Sequence, residues 1–209
     1  MTDSPARKAT EEVFLDAAER LLIDVGYARI STRRLGEEAG ANHGLIHYYF
    51  GSMEQLFVRV LERYTERLIA RQRSMYAAPV PFIEKWRAAM RYLDEDRDSG
   101  YQKIWYELQA LAWNQPELRE RVARVRRQWA DVLADAFTQA AEEYGIDTGR
   151  FPGKAIAVLV GTFNEGIMLE RLSGLTEGHA ELLAMIDRWL VSLEVASAGR
   201  DEANGSALP

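Results

Sequence analysis

The sequence predicts an all-α fold. Apolar residues recur every three to four positions along most of the 209-residue chain, which is the spacing of amphipathic helices, and no stretch alternates as a strand does. Glycines and prolines interrupt this pattern at positions such as Gly26, Gly40, Pro79 and Gly145. Because both residue types commonly mark helix ends, the interruptions divide the chain into separate helices. The composition, 47% hydrophobic and 28% charged, is ordinary for a globular protein.

The first predicted helix runs from about Thr10 to Gly26 and carries apolar residues at 3.6-residue spacing. The first dozen residues of the chain have the character of a mobile arm. Arg7 and Lys8 in this arm either contact phosphates or stay solvated, and the sequence favours neither.

Two short helices separated by a tight turn are predicted within residues 30–57. Ser31 is a favoured N-cap for the first helix, and Gly40 suits the left-handed conformation that ends it. Asn42 is a good N-cap for a second helix at about 42–49. The predicted turn is therefore about three residues long. That length matches the helix-turn-helix of DNA-binding proteins, whose second helix enters the major groove.

The second short helix is predicted to expose polar and aromatic side chains, because only Ile46 and Phe50 repeat at core spacing. The side chains left facing outward are His43, His47, Tyr48 and Tyr49. Imidazole and phenol groups donate hydrogen bonds to phosphates and base edges, and Gly44 permits close approach to a duplex. These features predict a DNA-binding surface. The alternative interpretation is an amphipathic helix with its polar rim on an all-α core.

The same stretch resembles the N-terminal domain of the tetracycline-repressor (TetR) family of transcriptional regulators. The residues that carry the resemblance are Thr32, Arg33, Leu35, Glu38, Ala39, Gly40, Gly44, Ile46, Tyr48–Phe50, Gly51, Ser52 and Glu54–Phe57. The resemblance implies binding to double-stranded DNA at a palindromic operator. The residues predicted to bind DNA are Ser31, Thr32, Arg33, Asn42, His43, Gly44, Leu45, His47, Tyr48 and Tyr49.

The chain departs from the family pattern at several of these positions. Gly36 stands where a small helix former is usual, which costs the first short helix up to about 1 kcal/mol relative to alanine. Met53 replaces a lysine that faces phosphate, so weaker and less salt-dependent DNA binding is expected. His47 replaces a tyrosine, and because histidine changes charge near neutral pH, operator affinity is expected to rise as pH falls.

The formal net charge of −6 must be divided along the chain before it bears on DNA binding. Residues 1–73 contain equal numbers of acidic and basic side chains, so the whole acidic excess lies after them. Residues 39–52 contain no acid at all. Charge therefore permits DNA binding without indicating it, since the basic patch of a strong non-specific binder is missing.

A longer helix is predicted from Ser52, its N-cap, to about Arg73. Pro79 and Pro81 follow it closely and cannot both lie inside a helix. The predicted organisation is a DNA-binding domain at 1–51, a connecting helix at 52–76, a C-terminal domain at 80–197 and a disordered tail at 198–209.

The C-terminal domain is predicted to be a bundle of helices near 82–96, 101–114, 116–144, 152–172 and 177–197. Its aromatic and methionine side chains either fill the core or line an apolar ligand cavity between helices. A bulky, largely apolar small molecule is the expected ligand. The residues predicted to bind it are Trp86, Met90, Tyr101, Trp105, Gln109, Trp129, Phe163 and Asn164.

The last two predicted helices are apolar over a wide arc. Such helices are buried on more than one face. In TetR-like proteins the corresponding pair packs against its twofold copy, so the resemblance implies a homodimer formed through about 152–197.

Enzymatic and metal sites find little support in the sequence. It contains three histidines and no cysteine, and no Glu-x-x-His pair, phosphate-binding loop or nucleophile elbow. His43 and His47 share a helix face, but no third ligand accompanies them. The lack of cysteine fits a reducing cytoplasm, and neither a signal peptide nor an apolar run near the roughly 20 residues of a membrane span is found. No enzyme activity, metal, cofactor or membrane association is expected.

The sequence thus predicts a cytoplasmic, homodimeric transcriptional repressor that a small hydrophobic ligand releases from a palindromic operator. Two alternatives stay open. One is a DNA-bound protein whose C-terminal domain binds another protein, and an apolar internal cavity would separate it from the first interpretation. The other is a helical carrier of hydrophobic ligands without a DNA role, which would show no salt-dependent binding to duplex DNA.

Overall fold

The computed structural model describes residues 5–97 and 100–205. Within these ranges the chain forms nine α-helices, a short 3₁₀ helix at Tyr27–Arg29 and no strand, which confirms the predicted all-α fold. The helices are α1 Pro5–Val25, α2 Thr32–Ala39, α3 Leu45–Phe50, α4 Met53–Tyr76, α5 Phe82–Arg97, α6 Tyr101–Asn114, α7 Pro116–Glu143, α8 Gly153–Leu172 and α9 His179–Gly205. None of the described helices is long and apolar enough to cross a membrane.

Three helix boundaries differ from the prediction. α1 begins at Pro5, not near Thr10, so the part of the predicted arm that is described is helical. α3 begins at Leu45, three residues later than predicted. α9 continues to Gly205, beyond the point at which the sequence predicts a disordered tail. Residues 1–4 of the arm and 206–209 of the tail lie outside the described residues.

The helices divide into two compact units. Unit 1 contains the chain up to Leu68 together with Asp94–Arg126, and unit 2 contains Ile69–Leu93 together with the chain from Arg127 onward. This division differs from the predicted domains, because α6 and the first part of α7 belong to the same unit as the helix-turn-helix.

The core of unit 1 is built from apolar side chains of α1 to α4. Phe14, Leu35, Ile46 and Phe57 are almost completely buried. The ring of Tyr27 packs edge-on against Phe57, with 5.0 Å between the ring centroids. These contacts give α2 and α3 a rigid base, so the orientation of α3 is set by packing.

Ion pairs fasten α1 to α4 inside unit 1. The Arg63 side chain on α4 is only 12% exposed, and it lies within 2.9 Å of carboxylates of three α1 residues. These residues are Glu12, Asp16 and Glu19. A buried guanidinium with several carboxylate partners holds both helices in one register, and removing either side would leave an uncompensated charge.

Residues of α6 and α7 bind the N-terminal helices of unit 1 through polar contacts. Glu107 Oε2 on α6 accepts a hydrogen bond from the backbone N–H of Tyr27 at 2.9 Å. The Arg121 guanidinium on α7 makes a two-point contact with the Glu62 carboxylate on α4, at 2.8 and 2.6 Å. Burial, and then the neighbouring Glu54 carboxylate, raise the pKa of the Tyr27 phenol.

Unit 2 is held together chiefly by an apolar core. The buried residues of this core are Ile69, Met75, Tyr76, Phe82, Ile83, Trp86, Ala89, Val132, Ala136, Phe137, Ala140, Tyr144 and Leu190. The start of α5 is capped when the Phe82 N–H donates to Glu143 Oε1 at 2.8 Å. At the surface, Arg87 on α5 makes a two-point pair with Asp187 on α9, at 2.7 and 2.9 Å.

Candidate nucleic-acid interface

The first helix of the motif, α2, begins and ends as the sequence predicts. Ser31 Oγ accepts a hydrogen bond from the Arg34 N–H at 3.2 Å, which satisfies a free donor of the first turn. Gly40 closes the helix in the left-handed conformation, with φ of 61°, and its N–H donates to Glu37 O at 3.2 Å. This conformation favours glycine because it carries no Cβ.

The turn between the two helices is longer than predicted. Asn42 Oδ1 accepts a hydrogen bond from the Gly44 N–H at 2.9 Å, and Asn42 O accepts from the Leu45 N–H at 3.0 Å. Asn42 therefore caps a local turn, and α3 starts only after Gly44. Side chains of asparagine commonly form such turns with the N–H two residues on. As a result His43 lies in the turn preceding α3 and not on the helix itself.

Gly36 gives this turn the room it needs. The residue is buried in α2, and a Cβ placed on it would lie 2.8 Å from His43 Cβ and 3.0 Å from Ala41 O. Real Cβ atoms do not approach other heavy atoms so closely, so alanine does not fit without movement of the turn. The departure from the family pattern at position 36 thus has a steric reason.

The ten predicted DNA-binding residues all reach the surface. Thr32, Leu45 and Tyr49 are half-buried. The exposed members are Ser31, Arg33, Asn42, His43, Gly44, His47 and Tyr48. Beneath them Ile46 has no exposed surface, whereas Tyr48 is 70% exposed. The prediction for α3 is thus confirmed for the buried Ile46 and the exposed His47 and Tyr48, whereas Tyr49 and Phe50 are both half-buried.

The His47 ring is oriented by a hydrogen bond at the end of α3. Its Nδ1 lies 3.0 Å from the carbonyl oxygen of Gly51. A carbonyl only accepts hydrogen bonds, so Nδ1 carries a proton in this arrangement. The second nitrogen, Nε2, accepts in the neutral ring and donates only in the protonated ring. Contact with a phosphate oxygen therefore requires the charged form.

Arg7 lies beside α3, which sequence reasoning missed. Its guanidinium carbon is 5.8 Å from the ring centroids of both Tyr48 and Tyr49. Two sequence signals could have indicated that α1 begins at Pro5 and so includes Arg7. Pro5 suits the first helical position, and Arg7 and Glu11 have the i, i+4 spacing of a helical ion pair, which the structure contains at 3.1 Å.

The predicted ligand-binding residues are distributed over both units. Tyr101, Trp105 and Gln109 belong to unit 1, where the Tyr101 hydroxyl lies 3.0 Å from Thr65 Oγ1. The members in unit 2 are Trp86, Met90, Trp129, Phe163 and Asn164. In unit 2, Trp86 is buried in the core, and Met90, Trp129 and Phe163 are half-buried against that core.

Asn164 on α8 carries a buried acceptor without a partner. Its side-chain oxygen Oδ1 is fully buried and makes no hydrogen bond within the part of the chain that the structure describes. Buried polar atoms normally find a partner, so this one calls for an explanation. A cleft of about 510 Å³ also lies in unit 2, along the end of α4 and the start of α5, but none of the predicted ligand-binding residues lines it.

α8 and α9 expose large apolar side chains. Leu159 on α8 is 69% exposed and Trp189 on α9 is 57% exposed. Other exposed apolar residues of this pair of helices are Val158, Leu169, Leu172, Met185, Val191 and Val195. The two helices are joined near their connection by His179 Nε2 and Glu170 Oε2, 2.6 Å apart. Among the described residues no group of His, Cys, Asp and Glu side chains is arranged to hold a metal ion.

This architecture is similar to that of known regulatory proteins. Residues 14–60, which span most of α1, all of α2 and α3 and the start of α4, match the family model for bacterial regulatory proteins of the tetR family. The chain is 26% identical over 168 residues to YfiR of Bacillus subtilis strain 168, an uncharacterized HTH-type transcriptional regulator. That match covers 76% of this chain and 78% of YfiR. It is 21% identical over 160 residues to the nucleoid occlusion factor SlmA of Vibrio cholerae, covering 74% and 81% of the two chains.

A solved structure extends the likeness along most of the chain. The crystal structure of a TetR-family transcriptional regulator from Agrobacterium tumefaciens matches with a TM-score of 0.70 and 18% identity, covering 87% of this chain and 98% of that one. Identity this low shows a shared fold. The family model and the regulator relatives agree with it, and TetR-family regulators are DNA-binding transcription factors without enzymatic activity. Residues 14–60 therefore match the DNA-binding domain of the TetR family, and the chain shares the fold of TetR-family transcriptional regulators along most of its length.

Proposed function

We propose that the protein is a cytoplasmic, homodimeric repressor that binds a palindromic operator through α2 and α3. A bulky, largely apolar small molecule then releases it by binding to the C-terminal helices. The observation that carries this proposal is the outer face of the motif, where hydrogen-bonding side chains lie exposed above the buried Ile46.

The placement of each side chain suggests its partner on the duplex. Tyr49 and Thr32 are half-buried at the sides of the motif and are assigned to backbone phosphates. His43 and Leu45 lie at the N-terminal end of α3, the end that faces base edges in helix-turn-helix complexes. The first pair would position the protein, and the second pair would read sequence.

The exposed apolar surface of α8 and α9 supports the homodimer. Many large apolar side chains are exposed on these two helices, and clusters of such side chains mark interaction sites in proteins. A second copy of the same surface would cover Leu159 and Trp189, within the predicted interface at about 152–197. A twofold dimer presents two copies of α3, which fits half-sites spaced by one helical turn of DNA or a multiple of it.

The members of the predicted ligand set that lie in unit 2 support a sensor role. Trp86, Trp129 and Phe163 provide apolar surface, and the unpartnered Oδ1 of Asn164 provides a polar group that a ligand donor would satisfy. Ligand sites in proteins combine these two features. α4 continues without interruption from unit 1 into unit 2, where the boundary falls after Leu68. A ligand that displaces its C-terminal part would act on the DNA-binding part through this helix.

The decisive experiment measures release from DNA. A fluorescein-labelled duplex, selected by the full-length protein from a random-sequence library, is titrated by fluorescence anisotropy with and without a panel of hydrophobic compounds. An inducer should weaken DNA binding by about 5- to 150-fold, and DNA should weaken inducer binding by the same factor. Phe163→Ala should reduce the response, whereas Phe151→Ala, an exposed phenylalanine outside the predicted set, should leave it intact. Binding of a compound without any effect on DNA affinity would refute the sensor role.

A second candidate keeps DNA binding and changes the partner of the C-terminal helices to another protein. It is favoured by one observation, the 21% identity to a relative that is a nucleoid occlusion factor. In this case no compound of the panel would release the duplex, and Phe163→Ala and Phe151→Ala would behave alike.

A further inference from the structure

Arg7 makes an ordinary helical ion pair with Glu11, but that pair does not explain why its guanidinium lies against α3. It lies in the first turn of α1, which begins at Pro5. A cation there faces the positive end of the helix dipole, an unfavourable position that a nearby anion offsets, as Glu11 does within the chain. The structure places this cation beside α3 and not in open solvent.

The contacts of Arg7 fix its side chain against α3. Its guanidinium carbon lies 5.8 Å from the centroid of Tyr48 and 5.8 Å from that of Tyr49, within the range of cation–π attraction. Its Nε lies 3.1 Å from Glu11 Oε1, which ties it to its own helix. The side chain nevertheless keeps 37% of its surface exposed. The side chain is therefore held in place and remains partly exposed.

Arg7 lies beside two tyrosines of α3 that belong to the proposed DNA-binding surface. Tyr48 and Tyr49 pack edge-on, with 5.1 Å between their centroids. Both belong to the surface proposed to face DNA, and Tyr49 is assigned there to a phosphate. A guanidinium beside a phosphate-binding phenol can bind the same or the adjacent phosphate, because its N–H groups form a planar fork that suits phosphate oxygens.

We propose that Arg7 is a DNA-contacting and positioning residue, which binds a backbone phosphate and holds the rings of Tyr48 and Tyr49 in their DNA-bound orientation. The inference rests on the proposed placement of α3 against the duplex and extends the contact surface to the start of α1. It assigns no base preference to Arg7, because phosphate contacts carry no sequence information directly.

Lys8 provides a matched control, because it is the adjacent, exposed cation on the same helix turn. The described structure shows no ring contact for it, whereas Arg7 has two. Arg7→Gln and Lys8→Gln each remove one positive charge. A general electrostatic effect would therefore appear equally in both variants, and a specific phosphate contact only in the first.

The experiment measures affinity for the library-selected duplex between roughly 50 and 200 mM salt. Arg7→Gln should lower the slope of log affinity against log salt by about 1, which corresponds to about eight-fold in affinity near 0.1 M salt. Lys8→Gln should leave slope and affinity nearly unchanged. Arg7→Lys should keep most of the slope but lose affinity, because an ammonium does not stack on aromatic rings as a guanidinium does. Circular dichroism and thermal unfolding confirm that each variant is folded.

Equal effects of Arg7→Gln and Lys8→Gln would overturn the proposal. The variant Tyr49→Phe separates that failure from a failure of the interface itself. If Tyr49→Phe weakens binding and Arg7→Gln does not, only the assignment of Arg7 is wrong. If neither change alters affinity, the placement of α3 against the duplex is wrong as well.

Discussion

Two surfaces of this protein expose side chains of opposite chemistry. In unit 1 the helix-turn-helix exposes His43, His47 and Tyr48, whose side chains are able to form hydrogen bonds. In unit 2 the pair of helices α8 and α9 exposes Leu159 and Trp189, which are largely apolar. Each surface nevertheless has buried apolar residues on the same helices, Ile46 on α3 and Ile167 and Leu190 on α8 and α9.

The difference indicates which kind of partner each surface suits. Hydrogen-bond donors and aromatic rings that remain accessible to water suit a polar, charged partner such as a duplex. Leucine, valine and tryptophan side chains gain free energy when an apolar surface covers them, at about 25 cal/mol for each Å² removed from water. This chemistry agrees with the proposal that the first surface contacts DNA and that the second packs against another copy of the chain.

The largest effect is expected from placing a charge on the apolar surface. Trp189→Glu should convert the dimer to a monomer, because a carboxylate cannot be buried against an apolar partner without a large cost. A monomer contacts only one half-site, so operator affinity should fall by about 10²- to 10⁴-fold. Sedimentation velocity gives the oligomeric state, and anisotropy gives the affinity. Glu181→Gln, a change at an exposed position on the same helix, should alter neither the oligomeric state nor the operator affinity. A dimer that persists in Trp189→Glu would move the interface elsewhere.

The second prediction separates two functions within the polar surface. Tyr49→Phe and Thr32→Ala should weaken binding to all sequences alike, since phosphate contacts do not distinguish bases. His43→Ala or Leu45→Ala should instead change which base is preferred, by about 1–3 kcal/mol at the affected position. The affinity of each variant for a series of single-base substitutions in the selected duplex, measured by anisotropy, shows whether its base preference has changed. A change of base preference in Tyr49→Phe but not in His43→Ala would reverse the assignment.

The third prediction tests the support beneath the polar surface. Alanine is the better helix former, but at Gly36 its Cβ would meet His43 and the Ala41 carbonyl. Crowding of this kind typically costs 1–3 kcal/mol, so Gly36→Ala should destabilise the protein and weaken operator binding. At Gly199 on α9 nothing lies within 4 Å of a new Cβ. Gly199→Ala should therefore be neutral or stabilising, by up to about 1 kcal/mol. Chemical denaturation gives both values, and equal effects would show that the turn adapts freely.

The smallest effect concerns pH at the polar surface. Because the Gly51 carbonyl holds the proton on Nδ1 of His47, contact with phosphate through Nε2 requires a second proton. Phosphate binding thus favours the charged imidazole, so operator affinity should rise modestly as pH falls from about 8 to about 6. His47→Tyr should flatten this dependence. If the variant keeps the full pH dependence, His43 or another group is responsible.

Local features of the fold could be read from the sequence. The N-cap at Ser31 and the left-handed stop at Gly40 depend on neighbouring residues alone, and both were predicted correctly. The start of α3 was predicted three residues early because asparagine caps turns as readily as helices. The sequence does not predict the helical start at Pro5, because the charged residues Arg7 and Lys8 are equally typical of an arm.

Features that depend on distant residues could not be read in this way. The hydrogen bond from Tyr27 to Glu107 joins positions eighty residues apart, and no local pattern announces it. The space at Gly36 is likewise defined by the turn that follows it. The predicted ligand residues were selected by type and spacing, and the structure distributes them over both units. Their role in ligand binding remains a prediction.

The discontinuous composition of unit 1 has a consequence for synthesis of the chain. The helix-turn-helix is translated early, but Glu107 and Arg121, which bind Tyr27 and Glu62, leave the ribosome much later. A nascent chain that has reached only the end of α4 still lacks these partners, and its Tyr27 N–H must bind water. Final assembly of the DNA-binding unit therefore waits until residue 126 has emerged. An excised N-terminal fragment would be permanently arrested at that same incomplete stage.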